Sequence, residues 1–297
     1  MSDWSVSLAG WGDDDHAAAL AAYAVTADLL GPEWPRPGSE PARAFFESRF
    51  VRRAVSDQAL LTGYYEPELP GALRPNGPYR FALYGPPPDL VPGQCWHDRA
   101  AIEAGDLLAG RELVWLDNPL DAFLAQVQGS FRVRPANGST RRFGFAAKNG
   151  HPYSSIGKEL LRRGALSEAD MSVAAIRAWA ARNPTALPDL LRMNRSFVFF
   201  RPLDLPESSG PLGTMQRPVT AQRSLAVDPA HIPLGAPVWV TAAGRARLMV
   251  AQDTGSAILG PDRGDIFLGT GASAGAAAGS LHATGRLTVL LPRSRRS

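Results

Sequence analysis

Three aspartates in the last quarter of the sequence have the residue type and the local setting for acid–base chemistry. Asp228 lies in S-L-A-V-D-P-A-H, Asp253 in M-V-A-Q-D-T-G-S and Asp265 in D-R-G-D-I-F-L-G. Carboxyl groups are the usual proton donors, proton acceptors and charge stabilisers in the cleavage of glycosidic bonds. One cysteine and five scattered histidines offer no competing cysteine pair and no metal-ligand spacing. The residue types therefore indicate carboxyl chemistry.

Asp253 and Asp265 both border segments typical of buried strands. The apolar run 248–251 precedes Asp253, with Gly255 following as a turn, and the apolar run 266–268 follows Asp265. Only twelve residues separate the two aspartates, so one loop can bring both to the same side of a small barrel. Partial burial beside an apolar run would raise the pKa of the Asp265 carboxyl and keep it protonated, as a general acid requires.

Each of the three aspartates has a second interpretation, which for Asp265 is the capping of its own loop. Asp253 fits an Asx turn that supports the end of a strand as well as it fits a supporting role in a site. Asp228 precedes Pro229, and an aspartate in this position is typical of a turn that caps local backbone. The D-T-G-S sequence at Asp253 also occurs in aspartic proteases, but those enzymes need two such loops and this chain has one.

Further polar and aromatic residues are candidates for binding a sugar. Tyr64 and Tyr65 could stack on sugar rings, although tyrosines of this kind are more often ordinary strand residues. The segment A-K-N-G-H-P-Y-S-S-I-G-K contains Lys148 and Asn149. It offers hydrogen bonds and a charge to a ligand, or it is the ordinary start of a helix.

The composition predicts a folded protein without a nucleic-acid partner. The chain has 297 residues, of which 45% are hydrophobic, and a net charge of +3. This suffices for one large domain or two ordinary ones. There is no basic stripe interleaved with aromatic residues and no apolar run of membrane-spanning length. No signal peptide or lipid-attachment cysteine is visible in the first residues. A mature or truncated chain, a misassigned start and an intracellular protein all stay open.

The elements that must position the aspartates are short strands with glycine turns. Helices are predicted over 15–30 and 42–53, and a strand interrupted by proline over 60–70. Two segments rich in proline and glycine, 70–92 and 202–211, read as passages between domains. The short strands of the last third indicate a small barrel.

Seven segments, in order, resemble the membrane-bound lytic murein transglycosylase A family. They are T-G-Y-Y-E-P, V-Q-G-S, A-K-N-G-H-P-Y-S-S-I-G-K, D-M-S-V-A-A-I-R-A-W, N-R-S-F-V-F-F-R, S-L-A-V-D-P-A-H-I-P-L-G, and Q-D-T-G-S-A-I with D-I-F-L-G-T-G-A-S-A-G. Each is short, but together they span roughly residues 60–292. The C-terminal part is similar to the family's 3D domain, which is named for three aspartates.

The resemblance implies a mainly β fold with some helices, built as two domains. A double-psi β-barrel would form from residues 1–66 and 206–297, with the N-terminal helices. A smaller β-rich domain, residues 67–205, would be inserted into it, with a groove for a glycan strand between the two. The proline- and glycine-rich segments fall where such an insertion would begin and end.

The resemblance also implies the chemistry. Members of the family cleave the β-1,4 bond between N-acetylmuramic acid and N-acetylglucosamine in peptidoglycan and form 1,6-anhydromuramic acid ends, with one aspartate as acid and base. Asp265 matches that aspartate, and Asp253 matches a supporting one. The residues expected to bind substrate are Tyr64, Tyr65, Gln128, Lys148, Asn149, Asp228 and Gly255.

The expected partner is a peptidoglycan glycan strand, and we expect no cofactor, no metal and no nucleic acid. Family resemblance predicts a monomer in the periplasm or peripheral to the outer membrane. Two alternatives stay open. One is a glycoside hydrolase on the same barrel, with a second carboxylate that activates water. The other is a non-catalytic protein that binds cell-wall glycan.

Overall fold

The computed structural model describes residues 4, 8–136, 138–242 and 244–293. In these residues the strands are β1 (Phe50–Glu66), β2 (Glu68–Ala72), β3 (Phe81–Tyr84), β4 (Glu112–Leu116), β5 (Ser130–Arg134), β6 (Arg141–Lys148), β7 (Val198–Leu203), β8 (Ser224–Ala226), β9 (Pro237–Ala242), β10 (Arg245–Asp253), β11 (Arg263–Thr270) and β12 (His282–Pro292). The helices are α1 (His16–Ala27), α2 (Ala42–Arg49), α3 (Arg99–Ala104), α4 (Pro119–Gln128), α5 (Ile156–Arg162), α6 (Val173–Arg182), α7 (Leu187–Arg192) and α8 (Gly271–Ser280).

The chain divides into two compact units. The first comprises residues 1–65, 207–269 and 276–297, and the second comprises residues 66–206 and 270–275. The second unit includes the first half of α8. The predicted fold class is confirmed, because the protein is mainly β with some helices, a closed barrel and a second sheet.

The first unit is built on a closed six-stranded barrel with the strand order β1, β11, β8, β10, β9, β12. β8 runs parallel to β10, whereas β12 pairs antiparallel with both β1 and β9. Apolar side chains from every strand fill the interior, among them Leu61, Leu225, Val238, Ala251 and Leu287. This filled core fixes the register of the strands, since a slip by one residue would turn each apolar side chain outward.

The N-terminal helices α1 and α2 cover part of the outer barrel wall. Tyr23 of α1 and Phe45 of α2 are fully buried and cluster with Trp239 and Leu248 of the wall. The sequence predicted that α2 continues to Arg53, but the helix ends at Arg49 because the chain there enters β1 in extended conformation.

The second unit is built on a six-stranded sheet with the order β3, β4, β2, β5, β6, β7, in which β2 and β5 are parallel. α4 packs on this sheet through Ala122 and Ala125. Its ends follow from sequence: Asn118 caps the first turn and Gly129, at φ +77°, ends the helix. None of the helices in the described ranges has the length and apolar character needed to cross a membrane.

Candidate active site

Asp253 and Asp265 lie on the two strands that flank β8. Ala226 of β8 pairs with Asp253 across the parallel β8–β10 contact and with Asp265 across the antiparallel β8–β11 contact. The preceding residue, Leu225, points into the barrel core, so Ala226 and its two partners face outward. Adjacent strands lie about 4.8 Å apart, which places the two aspartate backbones about 10 Å apart on one face.

The Asp265 carboxyl is partly buried and accepts one short hydrogen bond. Thr62 Oγ1 donates to its Oδ1 at 2.7 Å. Burial raises the pKa of Asp265 to about 6, although the Thr62 hydrogen bond and the Arg263 charge oppose the rise. The negative charge of Asp253 adds to it. A carboxyl with this pKa is half protonated at pH 6 and can donate a proton there.

The Asp253 carboxyl accepts four hydrogen bonds. Its Oδ1 accepts from Thr214 N at 3.0 Å, from Thr214 Oγ1 at 3.0 Å and from Thr254 N at 2.9 Å, and its Oδ2 accepts from Tyr64 Oη at 2.8 Å. Burial raises the pKa of Asp253, and all four donors oppose the rise. Because donors favour the ionised form, Asp253 is better suited than Asp265 to carry a negative charge.

Strand β1 supplies one hydrogen-bond donor to each aspartate. Thr62 and Tyr64 are two residues apart and therefore lie on the same face of the strand. The Tyr64 ring packs against Phe267, with ring centroids 5.2 Å apart. Burial, together with the Asp253 charge, raises the pKa of the Tyr64 phenol above its usual value, so the phenol keeps its proton and donates a hydrogen bond to Asp253.

The structure separates the predicted tyrosine pair. Tyr65 follows Tyr64 on β1, so its side chain lies on the opposite face of the strand. Tyr64 is engaged by its hydrogen bond to Asp253. Tyr64 therefore supports Asp253, and stacking of either ring on a sugar stays a prediction.

Asp228 fixes local backbone. Its Oδ1 accepts a hydrogen bond from Ala230 N at 3.0 Å, and its Oδ2 accepts one from Gly260 N at 2.7 Å. These bonds, the one from Gly260 first, lower the pKa of Asp228. Asp228 thus caps its own turn and the loop between β10 and β11, and its substrate contact stays a prediction.

Gly255 lies in the turn that follows Asp253. Its carbonyl accepts a hydrogen bond from Ile258 N at 2.9 Å. A Cβ atom at Gly255 would lie 2.8 Å from Ile258 Cγ1, so the turn has little room for a side chain on that side. Its approach to a sugar stays a prediction.

The remaining predicted site residues belong to the second unit. Gln128 is the last residue of α4 and is partly buried, while Lys148 is the last residue of β6 and is exposed. Asn149 is fully buried. Its Nδ2 donates to His97 O and Arg195 O, each at 2.9 Å, and its Oδ1 accepts from Phe197 N at 2.8 Å. Its amide joins the backbone at His97 to the segment 195–197, and the substrate contact expected at Asn149 stays a prediction.

Sequence reasoning missed the threonines of the site. Thr62 donates to Asp265, whereas Thr214 and Thr254 donate to Asp253, and the hydroxyl groups of Thr214 and Thr254 lie 2.7 Å apart. The spacing of Thr62 and Tyr64 on one strand face was an available signal. Thr214 lies thirty-nine residues before Asp253, and no sequence pattern indicates its contact with that aspartate.

Two family models match the chain. Residues 60–201 match the MltA specific insert domain, and residues 223–291 match the 3D domain. A closed barrel that carries outward aspartates, with a long insert between its strands, defines the class as a 3D-domain protein with an MltA-type insert.

Known proteins resemble this chain over most of its length. The membrane-bound lytic murein transglycosylase A of Escherichia coli K12 is 36% identical over 245 residues, which are 77% of this chain and 64% of that protein. The crystal structure of a membrane-bound lytic murein transglycosylase from Agrobacterium tumefaciens has a TM-score of 0.88 and 33% identity, and the match covers 97% of this chain and 96% of that one. The structure of E. coli MltA with bound chitohexaose has a TM-score of 0.79 and 29% identity, covering 97% and 91%.

The chain belongs to the membrane-bound lytic murein transglycosylase A family. It spans 64% of the length of the E. coli relative that it matches.

Proposed function

We propose that this protein is a lytic transglycosylase. It cleaves the β-1,4 bond between N-acetylmuramic acid and N-acetylglucosamine in peptidoglycan and forms 1,6-anhydromuramic acid ends. The observation that carries the proposal is the Asp265 carboxyl, which is partly buried on the outer barrel wall and has a pKa raised to about 6. Family membership supports the substrate class.

In the first step, protonated Asp265 donates its proton to the glycosidic oxygen. The bond between that oxygen and C1 of the muramoyl sugar breaks, and its electron pair stays on the oxygen. Since Thr62 donates to Oδ1, the acidic proton is best placed on Oδ2. The muramoyl ring is left with oxocarbenium character at C1.

In the second step, the Asp265 carboxylate accepts the proton of the muramoyl C6 hydroxyl as O6 attacks C1. The new O6–C1 bond closes the 1,6-anhydro ring, and Asp265 is protonated again. No water is consumed and the proton count balances. One carboxyl group can therefore complete the cycle, whereas glycoside hydrolases use a pair.

Asp253 supports both steps through its charge. Its four donors favour the carboxylate form, and a fixed negative charge on the same face stabilises a cationic transition state. The same charge helps to raise the pKa of Asp265, which keeps the acid protonated. This division assigns the two carboxyls different roles from their environments.

We propose that the barrel is the catalytic domain and that the second unit contributes glycan-binding residues. Lys148, whose ammonium is exposed, can bind an acidic group, and Gln128 can bind hydroxyl or amide groups of the sugar. Tyr65 and Gly255 stay as candidate contacts on the barrel. The chitohexaose bound to E. coli MltA supports a glycan ligand.

The cellular setting follows from the proposed substrate. Peptidoglycan lies outside the cytoplasmic membrane, so we propose that the protein acts in the periplasm, peripheral to the outer membrane, as a monomer. The names of its membrane-bound relatives support this placement.

A hydrolase on the same barrel is the second candidate. Asp253 favours it in one respect, since it is a second carboxyl group on the same face as Asp265, although its four donors make it a weaker base. The products differ: a hydrolase leaves reducing muramic acid ends. The Asp265 environment disfavours a purely binding protein, because glycan binding does not require a raised carboxyl pKa.

The proposal is tested by lysis of purified peptidoglycan. Asp265→Asn should lose lysis by at least about a thousandfold, because the acid and the base are removed together. Asp262→Asn is the matched control, since Asp262 is exposed, lies three residues away and is bonded to Ser56 Oγ at 2.5 Å. Equal lysis by both variants would contradict the assignment.

A further inference from the structure

The end of β10 contains an extra residue. Val250 pairs with Ser224 and Ala251 pairs with Leu225, but the next residue of β8, Ala226, pairs with Asp253. Gln252 therefore has no partner on β8 and forms a bulge in the parallel pair. Bulges re-aim the side chains that follow them.

The bulge decides where Asp253 points. Met249 and Ala251 face the barrel core, so regular alternation would direct Asp253 inward as well. An ionised carboxylate in that apolar core would be strongly unfavourable. With the extra residue, Asp253 lies level with Ala226 and Asp265 on the outer face.

Gln252 is held by three hydrogen bonds in the interior of the first unit. Its side chain is 1% exposed. Its Oε1 accepts from Ser224 Oγ at 2.5 Å, while its Nε2 donates to Ala22 O at 2.8 Å and to Thr26 Oγ1 at 3.0 Å. Two of these partners lie on α1, a helix outside the matched 3D-domain residues 223–291. Both N–H donors of the amide and one lone pair of its oxygen are therefore used in these bonds.

We propose that Gln252 is a positioning residue that holds the β10 bulge against α1 and thereby places Asp253 beside Asp265. The expected effect on rate rests on the proposed function. The placement of Asp253 relative to Asp265 does not depend on it. It makes the N-terminal helix α1 part of the catalytic apparatus rather than a cover for the barrel wall. Gln252 touches no substrate and acts through Asp253.

The test substitutes Gln252→Met, which keeps the length of the side chain and removes its hydrogen bonds. The carboxyl titration of Asp265 is followed by 13C NMR without substrate, and kcat/KM is measured on peptidoglycan. If Asp253 is displaced, Asp265 loses the neighbouring negative charge, so its titration should move to lower pH, in the same direction as in Asp253→Asn. We expect kcat/KM to fall about tenfold to a hundredfold, the usual effect of misplacing a reacting group by about 1 Å.

A double-mutant cycle separates positioning from general destabilisation. If Gln252 acts through Asp253, the variant with both substitutions should be no slower than Asp253→Asn alone. Multiplied losses, or an unmoved Asp265 titration in Gln252→Met, would overturn the proposal. The control Gln126→Met alters a buried glutamine of the second unit, which is bonded to Arg99 and to Val198 N. It should lower thermal stability without moving the titration.

Failure of this proposal and failure of the proposed function are distinguishable. The titration requires no activity, so it reports on positioning whatever the reaction is. Full lysis by Asp265→Asn would reject the proposed function. A titration that stays fixed in Gln252→Met, with lysis still dependent on Asp265, would reject only the role of Gln252.

Discussion

Asp253 and Asp265 pair with the same residue, Ala226, from opposite sides of strand β8. The shared partner sets both carboxyls at one level on the outer face of the barrel. Their environments differ: Asp253 accepts four hydrogen bonds and Asp265 accepts one, from Thr62. One carboxyl is thus favoured as a fixed charge and the other as a proton donor.

The rate should fall as the pH rises through the pKa of Asp265. The reaction begins with the protonated acid, whose pKa is raised to about 6 by burial. Below this pH the required form dominates, and well above it kcat/KM should fall about tenfold per pH unit. The measurement is a pH profile on purified peptidoglycan. A rate that rises between pH 6 and 8 would show that the first step needs a carboxylate instead.

Removing the hydroxyl of Thr62 should shift the fall of kcat/KM to higher pH. Thr62 Oγ1 stabilises the ionised form of Asp265, so Thr62→Val should raise the pKa of Asp265. A hydrogen bond to a charged group contributes about 1.5 kcal/mol, so the fall of kcat/KM should occur roughly one pH unit higher. Thr62→Ser keeps the hydroxyl and should leave the pH dependence of kcat/KM unchanged. Identical profiles for the two variants would rule out this role of Thr62.

The two aspartates should differ in their effects on stability at pH 7.5. The folded-state pKa of Asp265 lies above its usual value of 3.8, so the folded protein binds this proton more tightly than the unfolded chain. Stability therefore falls as the pH rises from about 4 to 6, and the loss is complete above that range. Asp265→Asn should recover about 2–3 kcal/mol at pH 7.5 and almost none at pH 4.

Asp253→Asn should recover less than Asp265→Asn, because burial raises the folded-state pKa of Asp253 as well, but an amide cannot accept from all four donors. Unfolding in urea, followed at both pH values, measures the two differences. Equal stability of the Asp265→Asn variant and the unmodified protein at pH 7.5 would contradict the raised pKa.

Neighbouring residues of the second unit should separate binding from stability. Asn149→Ala removes three hydrogen bonds to buried backbone groups and should cost about 2–4 kcal/mol of unfolding free energy. Lys148→Met alters an exposed side chain and should raise KM severalfold with little change in stability. Thermal unfolding and steady-state kinetics of both variants provide the comparison. A raised KM in Asn149→Ala at full stability would instead favour the predicted substrate contact at Asn149.

The fold class was predictable because several short motifs occur together in one order, and apolar runs mark the barrel strands. The loop between Asp253 and Asp265 is short enough to bring them near one another, which the sequence indicates. The bulge at Gln252 was not predictable, since the apolar run before it continues in regular alternation to the aspartate. Only the pairing with β8 reveals the extra residue.

Side-chain roles that depend on distant backbone were also hidden. Asn149 beside Lys148 looks like part of a polar binding loop, but its partners His97 O and Arg195 O lie about fifty residues away on either side. Thr214, in the segment between β7 and β8, donates to Asp253, and no sequence motif marks this residue. Contacts between segments remote in sequence require the folded structure.

The most direct test of the central claim is mass spectrometry of the fragments released from purified peptidoglycan by the unmodified protein and by Asp265→Asn. We expect muropeptides that end in 1,6-anhydromuramic acid, lost in the variant, because the C6 hydroxyl rather than water attacks C1. Reducing muramic acid ends, or anhydro ends that persist in Asp265→Asn, would contradict it.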